Sequence, residues 1–405
     1  MIADRLRPAW KGLTRLLGAF GIYGLIMWPL AGWLAYDLIA AELANLDGIR
    51  INASTVIGRD FVNIWHGGAE VLRSGAAGIY DRPEYRRTLE AAIGARGIYA
   101  YSYPPHMLLF SVPFGLLGYV PALILWQLGG LILLWHAARP WLRDVELPGV
   151  AVLLLSGTIV NLWAAHFGFL TSALALYGWR AAGSNARIAG LSFALMSVKP
   201  HMGILVPVIL AMKRDVATMF WATLGVLALA LLSVCAFGIS AWQTWLGSTL
   251  AFQASLMADA PGREFIFMMP TVGRALQALT GDAALIALGQ LISALFAIGV
   301  VVWAWRRNVG IRDLGLLSFA ATALILPYFF NYDLIAFSLV ALICAVRWRL
   351  GWYAPERLVY GAAFLVPLAQ APLAHMGIWL SPLAIAALLA SAGWRMGRDA
   401  DREAT

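Results

Sequence analysis

Apolar runs recur along this chain, many of them near 20 residues long, and the short polar segments between them carry most of the charge. Runs of that length match a hydrocarbon core of about 30 Å, and backbone groups inside such a core must bond internally, so each run predicts a transmembrane helix. Spans are expected near residues 16–40, 120–138, 148–165, 167–181, 188–212, 216–239, 283–305, 312–329, 331–347, 357–374 and 376–395, with 103–118 as a further, undecided crossing. A transmembrane β-barrel would instead alternate polar and apolar positions in segments of about 10 residues. The fold class expected is therefore an all-α integral membrane protein, a bundle of roughly a dozen transmembrane helices.

Two longer polar segments interrupt the runs. The segment 41–102 carries seven acidic residues against seven arginines. Within it Phe61, Ile64, Trp65, Ala69 and Leu72 recur at helical spacing, which predicts an amphipathic helix lying on the bilayer surface. Asp81, Pro83 and Glu84 read as the start of a second short helix, with an acidic cap and a proline in the first turn. The segment 240–282 holds Arg263, Glu264, Pro270 and Arg274. If both segments lie on one face, they can enclose a site.

Composition agrees with the pattern: 61% of residues are hydrophobic, 12% are charged, and the mean hydropathy is +0.76. A net charge of +8 raises the question of nucleic-acid binding, but the basic residues sit in short clusters between apolar runs and not along one soluble face. They read as topology signals. Clusters at the amino terminus, Arg139/Arg143, Arg180/Arg187, Lys213/Arg214, Arg306/Arg307/Arg312, Arg347/Arg349 and Arg395/Arg398 are all expected in the cytoplasm, with both termini. Satisfying every cluster requires 103–138 to cross once in net terms and 188–212 to turn back at Pro200 as two half-helices. The rival arrangement makes 103–118 and 188–212 full spans and puts the clusters at 139–143 and 180–187 outside. The basic start of the first run resembles a signal peptide, but the run lacks a small-residue cleavage site and reads as an uncleaved span. Cys235 and Cys344 lie inside apolar runs at no paired spacing, which supports neither a disulfide framework nor a zinc site.

Ionisable residues at span edges are the places to look for chemistry, because they are costly beside lipid. Asp60, in Gly58-Arg59-Asp60-Phe61, opens the amphipathic helix; it reads as a general base steadied by the helix N-terminus and Arg59, or as a plain N-cap. Tyr101-Ser102-Tyr103-Pro104-Pro105 closes the same segment as a rigid helix entry. Lys199-Pro200-His201 places one of only three lysines inside an apolar run. A buried ammonium needs a partner, either a phosphate with His201 as second donor or a protein carboxylate, unless the lysine snorkels to an interface. Asp333, in Asn331-Tyr332-Asp333, reads as a sugar ligand or a helix cap, and His66 and His166 are weaker candidates. No metalloprotease, P-loop or dinucleotide motif sits in a suitable context, and Asp37 within the first span has no explanation from sequence.

The order of these pieces resembles the GT-C glycosyltransferases of family 87, which include polyprenyl-phosphate-dependent mannosyl- and arabinofuranosyltransferases. The resemblance rests on Asp60-Phe61, Ile79-Tyr80-Asp81, Tyr103-Pro104-Pro105, Pro113 and Trp126, and on the run Gly168 to Leu174 with Ala189-Gly190. It continues through Lys199-Pro200-His201, Met269-Pro270-Thr271-Val272, Pro327-Tyr328 and Tyr332-Asp333-Leu334, and so spans nearly the whole chain. Where related sequences have Gly-Gln-Asn, this one has Ala165-His166-Phe167, which removes the amide side chains expected to meet the sugar.

The resemblance implies a single GT-C transmembrane domain over 1–405, with periplasmic loops at 41–102 and 240–282, in a bacterial cytoplasmic membrane. It implies a polyprenyl-phosphate sugar as donor, a glycolipid or glycan hydroxyl as acceptor, membrane lipids as surroundings, and no nucleic acid. It further implies inverting displacement without a required metal or cofactor. Asp60 would be the base, and Arg59, His66, Tyr103, His166, Lys199, His201, Arg263, Glu264, Asn331, Tyr332 and Asp333 would line the substrate site. A secondary transporter or flippase is the competing class, but such proteins commonly carry matched broken helices in two related halves, and the 41–102 segment and Lys199-Pro200 have no counterparts here. A non-catalytic assembly factor of the same fold would differ only in leaving Asp60 chemically unused.

Overall fold

A computed structural model describes residues 2–94, 97, 99–258 and 264–404. Apart from a small hairpin of Arg50–Asn52 with Thr55–Val56, the described elements are helical. Among the described residues, five helices are long and apolar enough to cross a membrane: Gly21–Ala44, Tyr119–Asp144, Val216–Phe237, Ala283–Arg306 and Pro355–His375. Several further apolar helices are shorter, among them Gly168–Ala181, Ile311–Ile325 and Ile335–Arg347, while Ser381–Ala404 is 24 residues long but charged through its last turns. The chain is a polytopic membrane protein, but the expected dozen full-length spans are not what the helix lengths give.

The reason is packing. Ile335–Arg347 is buried from Ile335 to Val346, so protein and not lipid surrounds it. A segment shielded in this way can break or stop short without exposing backbone groups to hydrocarbon. Val216–Phe237 is the opposite case, with few buried residues and an apolar surface turned outward. The first span also begins later than expected. Helix Ile2–Leu17 ends in a turn at Gly21, whose φ of +56° and closeness to the Trp352 carbonyl admit no side chain. Arg357 pins that turn by donating to the Gly18 and Leu350 carbonyls at 2.9 and 3.0 Å.

The basic clusters gather at one end of the bundle. Arg15 pairs with Glu146 at 2.6 Å and donates to the Val346 carbonyl at 3.1 Å, Arg347 pairs with Asp313 at 2.5 Å, and Arg307 pairs with Asp401 at 2.6 Å. Arg180 pairs with Asp144, and Arg395 with Glu356. The Gly183 N–H reaches the Asp215 carboxylate at 3.0 Å, and the Trp305 indole reaches the Met212 carbonyl at 2.9 Å. Residues 183 and 215 thus lie side by side, so the intervening chain enters and returns on the same face. Helix Ala186–Leu195 gives way to two short 3-10 turns around Lys199-Pro200, and Val206–Met212 leads back. This is the arrangement with the turn at Pro200.

The segment after the first span has its own aromatic core. Helix Phe61–Ser74 buries Phe61 and Ile64, with Phe61 against Phe114, Tyr119 and Trp126 at ring distances of 5.8 to 6.0 Å. Its apolar face therefore packs on protein and not on the bilayer surface as expected; Leu72 stays exposed. Helix Leu108–Gly115 has only eight residues, about 12 Å, and cannot cross. It lies against Phe61–Ser74 at glycine contacts, where a Cβ on Gly68 would stand 2.1 Å from the Ser111 carbonyl oxygen and one on Gly115 2.2 Å from the Ala69 nitrogen. The second short helix forms as the sequence predicts, over Arg82–Ile93, with Asp81 accepting from the Glu84 N–H at 3.3 Å.

Candidate functional site

Opposite the basic face, five separate stretches converge. Gly58 (φ +70°) and Arg59 (φ +32°) both take the left-handed backbone and so turn the chain sharply into helix Phe61–Ser74. A Cβ on Gly58 would stand 2.6 Å from a Leu123 methyl, which would have to shift, and the left-handed φ of Gly58 already favours glycine. Arg59, which is not a glycine, is held in this conformation from outside. Its guanidinium pairs with Glu42 at 2.7 Å and lies 3.9 Å from the Trp163 ring centre, while the Trp163 indole also donates to Glu42 at 3.0 Å.

Asp60 follows, with its N–H on the Ala164 carbonyl at 3.2 Å. It occupies the N-cap position, yet its side chain accepts no hydrogen bond from the helix, so the plain cap is not its role. The half-buried carboxylate faces Lys199, Tyr332 and Arg59. Burial among protein atoms raises its pKa from 3.8 to about 6, against the opposing pull of Lys199, hydrogen bonding from Tyr332, and Arg59.

Lys199 sits between its two 3-10 turns, and its ammonium contacts both Asp333 carboxylate oxygens at 2.6 Å and His166 Nδ1 at 3.3 Å. Lys199 and Asp333 are both buried. An ammonium has three N–H groups, and these contacts occupy them. Of the two partners the sequence left open, the structure supplies the protein carboxylate. Asp333 accordingly caps no helix: Ile335–Arg347 begins without a side-chain cap.

His166 emerges from Ala165, whose left-handed φ of +50° ends helix Ser156–Ala164 where a glycine would be usual. Its Nε2 meets the Tyr103 hydroxyl at 3.1 Å, and its ring lies 4.8 Å from that of Tyr332. With an ammonium donating to Nδ1, that nitrogen must carry the lone pair, so the neutral ring holds its proton on Nε2 and donates it to Tyr103. Tyr332 is in turn stacked on Phe330, with ring centres 4.9 Å apart.

The fold thus assembles Asp60, Tyr103, His166, Lys199, Tyr332 and Asp333, with His201 half-buried on the adjoining turn and within electrostatic reach of Lys199 and His166. Others are placed elsewhere. His66 is buried between two helices on the Thr88 hydroxyl at 2.9 Å and edge-on to Tyr85, and burial lowers its pKa to about 4; it joins those two elements. Asn331 donates to the Pro367 carbonyl at 2.9 Å and braces the turn that carries Tyr332 and Asp333. Arg263 and the side chain of Glu264 lie outside the described residues. Glu42 and Trp163 were missed: Glu42 passed for one more acid of the polar segment, and Trp163 for an ordinary span residue. A cavity of about 20 Å³, lined in part by Thr171, Ser172, Met202, Thr322 and Asp333, has room for one water but not for a sugar. A sugar reaching Asp333 through it would have to displace those side chains.

A model of glycosyltransferase family 87 matches residues 101–327, more than half of the chain. The match includes Tyr103, His166, Lys199 and His201; Asp60 and Asp333 fall outside it and meet it through the contacts above. No curated protein and no solved structure matches the chain. On the extent of the family match, the chain belongs to glycosyltransferase family 87 and is a glycosyl-transferring enzyme of the membrane.

Proposed function

We propose that the chain transfers a sugar, mannose in the first instance and arabinofuranose as the alternative, from a polyprenyl-phosphate donor to a hydroxyl of a lipid or glycan acceptor. The observation that carries this reading is the uncapped Asp60 carboxylate at the face opposite the basic clusters. By the distribution of basic residues that face is the periplasmic one, with both termini in the cytoplasm.

In the reaction, Asp60 takes the proton of the acceptor hydroxyl as its oxygen attacks the anomeric carbon. The bond from that carbon to the phosphate oxygen breaks, its electron pair leaves with the polyprenyl phosphate, and the configuration inverts. The leaving group departs as a phosphate monoester, so it needs no strong acid, and no metal is required in this scheme. A base with a pKa near 6 is mostly ionised at neutral pH and still basic enough to accept a proton. Lys199, anchored by Asp333 and His166, acts as a fixed positive charge that keeps Asp60 ionised, which replaces direct phosphate binding as its first role. The Tyr103 hydroxyl and His201 are the groups offered to sugar and phosphate oxygens, while the Tyr332 hydroxyl donates to Asp60.

The test is transfer from radiolabelled polyprenyl-phosphate mannose by purified enzyme, with polyprenyl-phosphate arabinofuranose in a parallel series. Asp60→Ala should lower turnover by about 10²- to 10⁴-fold with donor binding retained. Wild-type turnover in that variant would remove Asp60 as the base, and no transfer from either donor by the wild type would remove the donor class.

A further inference from the structure

Far from Asp60, helices Ala283–Arg306 and Ser381–Ala404 both run toward the basic face. Glycines bring them together: a Cβ on Gly393 would stand 2.8 Å from Val300, and one on Gly397 2.6 Å from Trp303. Beside this contact lies an outward-facing groove of about 350 Å³, lined by Phe296, Gly299, Val300, Trp303, Ala390 and Trp394. At its basic end each tryptophan carries an arginine. Arg307 lies 5.4 Å from the Trp303 ring centre and Arg398 lies 4.8 Å from that of Trp394. Arg307 is paired with Asp401, whereas Arg398 has no ion-pair partner among the described residues. The adjacent carboxylate, Asp399, accepts from the Trp348 indole at 2.8 Å.

Acyl chains are as apolar as the groove, so the apolar lining alone would not select an occupant from the bilayer. The charged end does, because a guanidinium held on a tryptophan face at the membrane surface favours a phosphate. We infer that this groove is a binding site for one anionic phospholipid of the leaflet on the basic face. Its chain lies between Trp303 and Trp394, and its phosphate meets Arg398 and Arg307. The site is separate from the proposed donor site, which faces the opposite end of the bundle.

Native mass spectrometry of the full chain, purified with equimolar phosphatidylglycerol and phosphatidylcholine of identical chains, tests this. The expected result is one retained phosphatidylglycerol in excess over phosphatidylcholine. Arg398→Gln should reduce its retention about fivefold. Gly299→Leu should abolish retention without lowering thermal stability, since nothing lies within 4 Å of the added Cβ. Equal retention of the two lipids, or wild-type retention in both variants, overturns the proposal. So does retention of a polyprenyl phosphate in its place, or a dimer that Gly299→Leu disperses.

Discussion

Asp60→Asn separates stability from catalysis at one atom pair. The fold raises the pKa of this carboxylate from 3.8 to about 6, chiefly by burial. The folded state therefore binds the proton more tightly than the unfolded chain does. The contribution of this group to stability is fully present below the unfolded pKa, near 3.8, and is lost as pH rises through about 6. Holding the carboxylate ionised at neutral pH costs about 3 kcal/mol on that interval. An asparagine keeps the shape and cannot ionise. The variant should thus exceed the wild type in stability by up to about 3 kcal/mol near pH 8, with the difference shrinking below about pH 6 and vanishing near pH 4. Catalysis should move the other way. Wild-type kcat/KM should rise with pH and level off above about 6, and the variant should lose about 10²- to 10⁴-fold at every pH. Thermal melts followed by tryptophan fluorescence in detergent, paired with donor-transfer rates over the same pH range, read both arms. A variant less stable than wild type near pH 8, or a stability difference that ignores pH, would refute the argument that burial raises this pKa.

Four further substitutions probe the surroundings. Lys199→Met removes the ammonium that pulls the Asp60 pKa down and leaves Asp333 buried without its partner; the acid limb of kcat/KM should move up, and melts should show a loss of about 3–5 kcal/mol. Adding Asp333→Asn should restore most of that stability but not the position of the limb. Glu42→Gln breaks the ion pair that holds Arg59 in its left-handed turn, so kcat should fall on the order of tenfold while KM and the melting temperature change little, as single-turnover assays and melts would show. Gly68→Ala forces a Cβ against the Ser111 carbonyl and should cost about 1–3 kcal/mol in melts while leaving the pH dependence of the residual activity unchanged.

How much of this was legible depends on what kind of information each feature needs. Local chemistry could be read in part: Asp81 caps its helix through Glu84 as expected, and of the two arrangements left open for 188–212 the one with a turn at Lys199-Pro200 forms. The basic clusters, read as topology signals, do meet at one end of the bundle. The number of spans could not be read, because an apolar run is the same whether lipid or protein surrounds it. Ile335–Arg347 and Val216–Phe237 look alike as sequence, and only packing makes one a central, shortened helix and the other an outward-facing span. The two histidines make the same point: nothing in their neighbours distinguishes His66, which joins two helices, from His166, which meets Lys199 and Tyr103.

The left-handed backbone at Arg59 and Ala165 is the least legible feature, and it explains most about the site. Sequence rules expect glycine at such positions, so neither residue announces a turn. A non-glycine residue held there costs on the order of 1–3 kcal/mol and persists only where its surroundings leave it no alternative. Those surroundings can be named. Glu42 and Trp163 grip the Arg59 side chain, Asn161 and the Trp126 indole take the Ala165 N–H and carbonyl, and the Asp60 N–H on the Ala164 carbonyl ties the two turns together. One turn delivers Asp60 and the other His166, so the strain sits where the proposed base and the lysine's imidazole partner enter the site. Their positions are set by contacts with the first span and with Tyr119–Asp144, well beyond the reach of any motif around Asp60 itself.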